Sequence, residues 1–197
     1  NRGAFDAKLH EYWVAWEKTG LGFALFVLDL DNFKQVNDRF GHTVGDAVLR
    51  AVTRLIWEAL REEDGIFRYG GEEFCAVLSG LVDLDDAERV AERLRSILDR
   101  EVIINNVVTV KVSASIGVAI HPLHGAQTPQ ALLELADDAA YQAKRGGGDG
   151  AVMFDAHSAV PPATPDLRDR APAMLINNDP HIDLTPGKIS KILRRYK

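Results

Sequence analysis

Six consecutive apolar residues, Phe23-Ala24-Leu25-Phe26-Val27-Leu28, run directly into Asp29-Leu30-Asp31. Successive side chains of a strand point to opposite faces, so an unbroken apolar run describes a strand covered on both sides. The run is central, and the acids mark where it leaves the core. After Gly45, the residues Ala47, Val48, Ala51, Val52, Leu55, Ile56, Ala59 and Leu60 recur at helical spacing and predict a helix to about Arg61. Phe5, Leu9, Trp13 and Trp16 share one stripe, which predicts an amphipathic helix over residues 3–18 whose start looks truncated.

Two strand-like runs then meet at a glycine pair. Ile66-Phe67-Arg68-Tyr69, Gly70-Gly71 and Glu72-Glu73-Phe74-Cys75-Ala76-Val77-Leu78 read as a tight hairpin with two acids leaving its turn. Asp85 and Glu88 have the spacing of a capping box, and Ala87, Val90, Ala91, Leu94, Ile97 and Leu98 continue that helix to about Arg100. Val102–Ile104 and the alternating Val107–Ile120 read as strands about Asn105-Asn106. Thr128-Pro129 opens a helix to about Lys144, and Ala151–Phe154 reads as a closing strand. The order is a helix followed by β-α-β-β-α-β. That order predicts an α+β fold with an antiparallel sheet, helices on one face, and the first and third strands adjacent at the centre.

With 46% hydrophobic residues and three tryptophans in 197 residues, the chain can bury a core. No apolar run reaches the roughly 20 residues that span a bilayer, so no membrane segment is expected in this chain. The single cysteine, Cys75, excludes an internal disulfide and makes the cytoplasm the default location. Within a β-strand it reads as core filler. Residues 1–154 carry a net charge of -8 and residues 155–197 a net +2. An acidic body is a poor partner for a nucleic-acid polymer. Six of the eight prolines fall in 155–197, which reads as a linker or tail. Its end, with Thr185, Pro186, Ile189, Ile192 and Leu193, has the pattern of a short basic helix.

Adjacent first and third strands would bring Asp29, Asp31, Glu72 and Glu73 together. Carboxylates a few ångströms apart repel unless a cation lies between them, and hard oxygen donors select Mg²⁺ or Mn²⁺. Arg68-Tyr69-Gly70-Gly71-Glu72-Glu73-Phe74 resembles the signature of the GGDEF family, the diguanylate cyclases that join two GTP into cyclic di-GMP. Asp29-Leu30-Asp31-Asn32-Phe33-Lys34, Asn37-Asp38 and Gly41-His42-Thr43-Val44-Gly45-Asp46 resemble its nucleotide-binding segment, and Tyr141-Gln142-Ala143-Lys144 resembles its phosphate-binding helix. The resemblance covers residues 1–154. It implies a palm-like nucleotidyl cyclase fold, a central antiparallel sheet surrounded by helices, with divalent metal and release of two pyrophosphates.

Position by position, the resemblance implies that Asp29, the Leu30 carbonyl and Glu73 hold metal, with Glu72 at the metal or at the 3′-hydroxyl nucleophile. Asn37 and Asp46 match the guanine-reading pair. Lys34, Lys144 and the amides near Asn32 and Phe33 match phosphate contacts, His42 lies in the same substrate loop, and Arg68 matches an arginine near the transferring phosphoryl group. Asp46 alone would also suit an N-cap. Where the family often has Gly-Arg-Asn, this chain has Gly147-Gly148-Asp149, and Arg145 is the neighbouring cation. Arg61-Glu62-Glu63-Asp64 matches an R-x-x-D inhibitory site for the product, with Arg93 in support. The resemblance further implies a homodimer for catalysis and an upstream sensory domain. The rival readings are an inactive domain that receives cyclic di-GMP or GTP, and a cyclase that also accepts ATP. The histidines show no ligand spacing, and His121, His124, His157 and His181 read as surface residues.

Overall fold

The computed structural model describes residues 1–104 and 108–155. The expected linker, the short basic helix, His157 and His181 lie outside the described residues. The elements are α1 (Arg2–Thr19), β1 (Phe23–Leu30), α2 (Phe33–Phe40), α3 (His42–Ala59), β2 (Gly65–Arg68), β3 (Glu73–Ser79), α4 (Leu84–Leu98), β4 (Arg100–Ile104), β5 (Val108–Val112), β6 (Ala114–His121), α5 (Pro129–Arg145) and β7 (Ala151–Met153). One five-stranded sheet has the order β2-β3-β1-β6-β7, and β4 and β5 form a separate two-stranded ribbon. The fold is α+β. β1 lies at the centre and runs antiparallel to both β3 and β6. β7 joins β6 in parallel, so the sheet is mixed rather than wholly antiparallel. Among the described residues, no helix is long and apolar enough to cross a membrane.

The two parities of β1 bury against two different layers. Ala24, Phe26, Leu28 and Leu30 pack with Val48, Val52 and Ile56 of α3, Ala91 and Leu94 of α4, and the β4–β5 ribbon. Phe23, Leu25 and Val27 pack with Phe5, Leu9 and Trp13 of α1 and Leu132, Ala136 and Ala140 of α5. Helices therefore cover both faces, which corrects the one-face expectation; the unbroken apolar run already required two layers. Gly117 lets α5 approach, since a Cβ there would lie 2.1 Å from the Ala136 carbonyl oxygen and the Ala140 nitrogen.

Four local readings are revised. First, the segment between β1 and Gly45, for which no element is expected from the sequence, contains α2, whose Phe33, Val36 and Phe40 have helical spacing in only eight residues, and α3 begins at His42 rather than beyond Gly45. Second, the cap of α4 is Asp83, whose carboxylate accepts from the Asp86 amide, not the Asp85–Glu88 box. Third, the run Val107–Ile120 divides at Ser113. Val110, Val112, Ala114 and Ile116 keep one alternation throughout, but β5 pairs with β4 while β6 pairs with β1. Fourth, His121 is 2% exposed, with its ring 4.1 Å from those of both Trp13 and Trp16. His124 is half-buried, its Nδ1 accepting from the Ile120 amide. Cys75 is fully buried core filler, and burial pushes its thiol pKa up.

Candidate active site

Asp29 continues the parity of Phe23, Leu25 and Val27, and Glu73 continues that of Cys75 and Val77. Both carboxylates therefore stand on the α5 face of the sheet. The β1–β3 register sets Asp29 directly opposite Glu73. The turn is tied to the central strand, since the Leu30 amide donates to the Glu72 carbonyl at 3.3 Å. The Arg68 Nε donates to the Gly71 carbonyl at 3.0 Å, so this arginine closes the hairpin at its exposed edge. From the last turn of α5, Lys144 Nζ lies 2.9 Å from each carboxylate oxygen of Asp29.

Charge is crowded here. Burial raises the pKa of Glu73, and the charges of Asp29, Asp137 and Glu72 add to the rise, with Lys144 opposing it. Burial works against the charge on Lys144, but its bond to Asp29 and the fields of Asp29, Glu72 and Asp31 outweigh that and hold its pKa up. Asp137, on α5, belongs to this constellation and was not singled out from the sequence. The signal was available, because Asp137 and Lys144 are seven residues apart and so share a helical face. Asp31 departs from the expected cluster of four acids. Its carboxylate accepts from Ser113 Oγ, Ser115 Oγ and the Asp149 amide.

Among the described residues, no three carboxylate, imidazole or thiolate side chains form a ready metal cage. Of the expected ligands, Asp29 and Glu73 are brought together, and Glu72 stands one residue further along the turn. The donor chemistry still fits a hard divalent ion. Two carboxylates face each other where negative charge is already in excess, beside the backbone of Leu30, and such ions take few protein ligands and keep several waters.

The residues expected to contact nucleotide lie on α2 and at the start of α3, the elements that follow β1. Asn32 is left-handed (φ 55°) and starts α2 without its own side chain capping the helix amides, which makes a helix N-terminus suited to phosphate. Lys34 lies exposed in the first turn of α2. Asn37 packs against buried Gly45, where a Cβ would lie 2.0 Å from the Asn37 Oδ1. Asp46 is the next residue, exposed on α3; Gly41 precedes that helix, so Asp46 is not its N-cap. His42 is the exposed first residue of α3. Arg145 lies over the Tyr141 ring, 5.9 Å from its centroid.

Arg61 and Asp64 flank the turn between α3 and β2. Asp64 is buried, and its carboxylate accepts from the Arg61 amide at 3.0 Å. Burial raises its pKa, with the Arg61 amide bond pulling the other way. The Arg61 side chain is exposed, and Arg93 donates to the Ala59 carbonyl at 2.8 Å, so both arginines border the C-terminal end of α3.

Residues 1–150 match the family model described as "Diguanylate cyclase, GGDEF domain". The chain is 38% identical over 145 residues to the diguanylate cyclase TpbB of Pseudomonas aeruginosa, covering 74% of this chain and 33% of that protein. It thus spans about a third of the length of the curated relatives it matches. The crystal structure of the TpbB GGDEF domain superposes with a TM-score of 0.75 at 35% identity, covering 79% of this chain and 96% of that one. The GGDEF domain of DgcB from Caulobacter crescentus, solved in complex with c-di-GMP, gives a TM-score of 0.72 at 30% identity, covering 78% and 90%. With its Gly-Gly-Glu-Glu-Phe turn set beside the central strand of this fold, the chain belongs to the GGDEF family.

Proposed function

We propose that residues 1–154 act as a diguanylate cyclase domain that condenses two GTP into cyclic di-GMP and two pyrophosphates. The pairing of Asp29 with Glu73 at one register position, with Lys144 reaching them from α5, carries this reading. Asp29, Glu73 and the Leu30 carbonyl would hold Mg²⁺ or Mn²⁺. When bound, such an ion supplies positive charge beside the triphosphate. The N-terminal amides of α2 and the ammonium groups of Lys34 and Lys144 bind phosphate oxygens, and Arg68 offsets charge at the transferring phosphoryl group. Asn37 and Asp46 hold the base; a carboxylate only accepts, which suits the N–H donors of guanine.

The 3′-hydroxyl oxygen of one GTP forms a bond to the α-phosphorus of the other as the bond to pyrophosphate breaks, and Glu72 takes the hydroxyl proton. A second transfer in the opposite sense closes the ring. One domain binds one GTP, so two copies face each other for each transfer. Exposed Arg61, with Asp64 at the same turn and Arg93 reaching it from α4, forms the product-binding inhibitory site. Incubation of the purified protein with GTP and Mg²⁺, followed by chromatography, tests the reading: cyclic di-GMP and pyrophosphate are expected from GTP and no cyclic product from ATP. GTP left unchanged overturns it.

One observation favours a receptor instead. Gly148 occupies the place of the family arginine with φ +75°. Tight binding of cyclic di-GMP by a chain that never turns over GTP would select that reading.

A further inference from the structure

Asp31 is two residues beyond Asp29, yet it is engaged with protein rather than left open to substrate. Its carboxylate accepts from Ser115 Oγ at 2.7 Å, Ser113 Oγ at 2.9 Å and the Asp149 amide at 2.8 Å. Ser115 is fully buried. The Asp149 amide belongs to the connection between α5 and β7, where Gly147, Gly148 and Asp149 all have positive φ (121°, 75° and 47°). A non-glycine residue in that region is strained and persists only where its surroundings hold it. At Asp149 they do, through the amide bond to Asp31 and a carboxylate contact with Arg95 at 3.1 Å.

The same connection closes the end of α5. The amides of Gly146 and Gly148 donate to the carbonyls of Gln142 and Ala143, and beyond it the Gly150 carbonyl accepts from Ile116 on the central sheet. Lys144 sits in that last turn, so its placement over Asp29 depends on where the connection is held.

We propose that Asp31 is a positioning residue: by clasping the 146–150 connection it holds the end of α5 so that Lys144 reaches the Asp29–Glu73 pair. The clasp also borders Gly148. A Cβ there would lie 3.0 Å from Asp31 Oδ1 and 3.1 Å from its Cγ, on a left-handed backbone. A side chain at this position would crowd the clasped carboxylate, and Lys144 is the α5 cation that reaches the Asp29–Glu73 pair. This inference rests on the cyclase reading only for its kinetic consequence.

Lysine footprinting by an amine-reactive label and mass spectrometry, on the full chain without nucleotide, reads the clasp directly. Asp31→Asn and Gly148→Ala are expected to speed labelling of Lys144 severalfold, while Lys8 and Lys18 keep their wild-type rates. Asp149→Gly keeps the amide donor and tolerates positive φ, so labelling of Lys144 should stay at wild type. In a GTP assay, Asp31→Asn should raise KM about tenfold, the size expected for one lost charge-assisted contact, with a smaller change in kcat. Unchanged Lys144 labelling in folded Asp31→Asn overturns the proposal. So does faster labelling of every lysine, which would mean general loosening. Changed Lys144 labelling in a chain that never converts GTP would sustain the clasp and refute the cyclase reading.

Discussion

Glu73 carries a negative charge that its surroundings resist, and this makes a signed prediction at the scale of one residue. A carboxylate whose folded pKa is raised contributes stability below its unfolded pKa and loses that contribution as pH rises through the folded value. Glu73→Gln should therefore melt above wild type at pH 7 to 8, with the gap closing below about pH 4. In the same variant, cyclase turnover should fall by more than about 100-fold, because the neutral amide cannot replace an anionic ligand. Thermal melts across pH beside a GTP assay check both; wild-type rates at matched Mg²⁺ would remove Glu73 from the metal site. Arg61→Ala makes a separate test. Its side chain is exposed and ends no core contact, so initial rates should match wild type while inhibition by added cyclic di-GMP is lost. Retained inhibition would reduce the turn to a helix-end charge cluster. The placement of the acid pair Glu72-Glu73 after Gly70-Gly71 was legible from residue type and spacing. Asp31 was not, because the partners that occupy it lie 82 and 84 residues away.

At the scale of elements, α5 and α1 are docked by different chemistry. α5 lies against β6 through Gly117, whose Cβ would strike helix backbone rather than a movable side chain. Gly117→Ala should cost about 3 kcal/mol, read as a drop in Tm of about 6–12 °C. α1 is held by Trp13 and Trp16 against His121, whose two ring nitrogens have no hydrogen-bond partner among the described residues. Burial lowers the pKa of that imidazole. A histidine with a depressed folded pKa contributes stability above its unfolded value, lost as pH falls through the folded one. Tryptophan fluorescence and Tm should report loosening of α1 as pH drops from 7 toward 5, and His121→Phe should flatten the response. Helix and strand types were readable from periodicity; the break at Ser113 was not, because alternation runs through it and only the choice of partner strand divides it.

At the scale of the whole molecule, a reaction that needs two facing domains is second order in chain at low concentration. Specific cyclase activity should fall in proportion to dilution once the chain drops below its dimer dissociation constant, and a covalently linked pair should escape that fall. Activity per chain that is constant over a thousandfold dilution would mean that one domain suffices. The sequence by itself determined the α+β class, the buried central strand, the hairpin with its acid pair and the family, because these are set by local periodicity, turn chemistry and a dense motif. Tertiary structure decided which carboxylates meet. It placed Asp29 opposite Glu73, drew Lys144 and Asp137 in from α5, turned Asp31 toward two serines and buried His121 between tryptophans. Strand pairing, register and side-chain hydrogen bonds between distant segments are properties of the packed molecule, and no local window of sequence contains both partners.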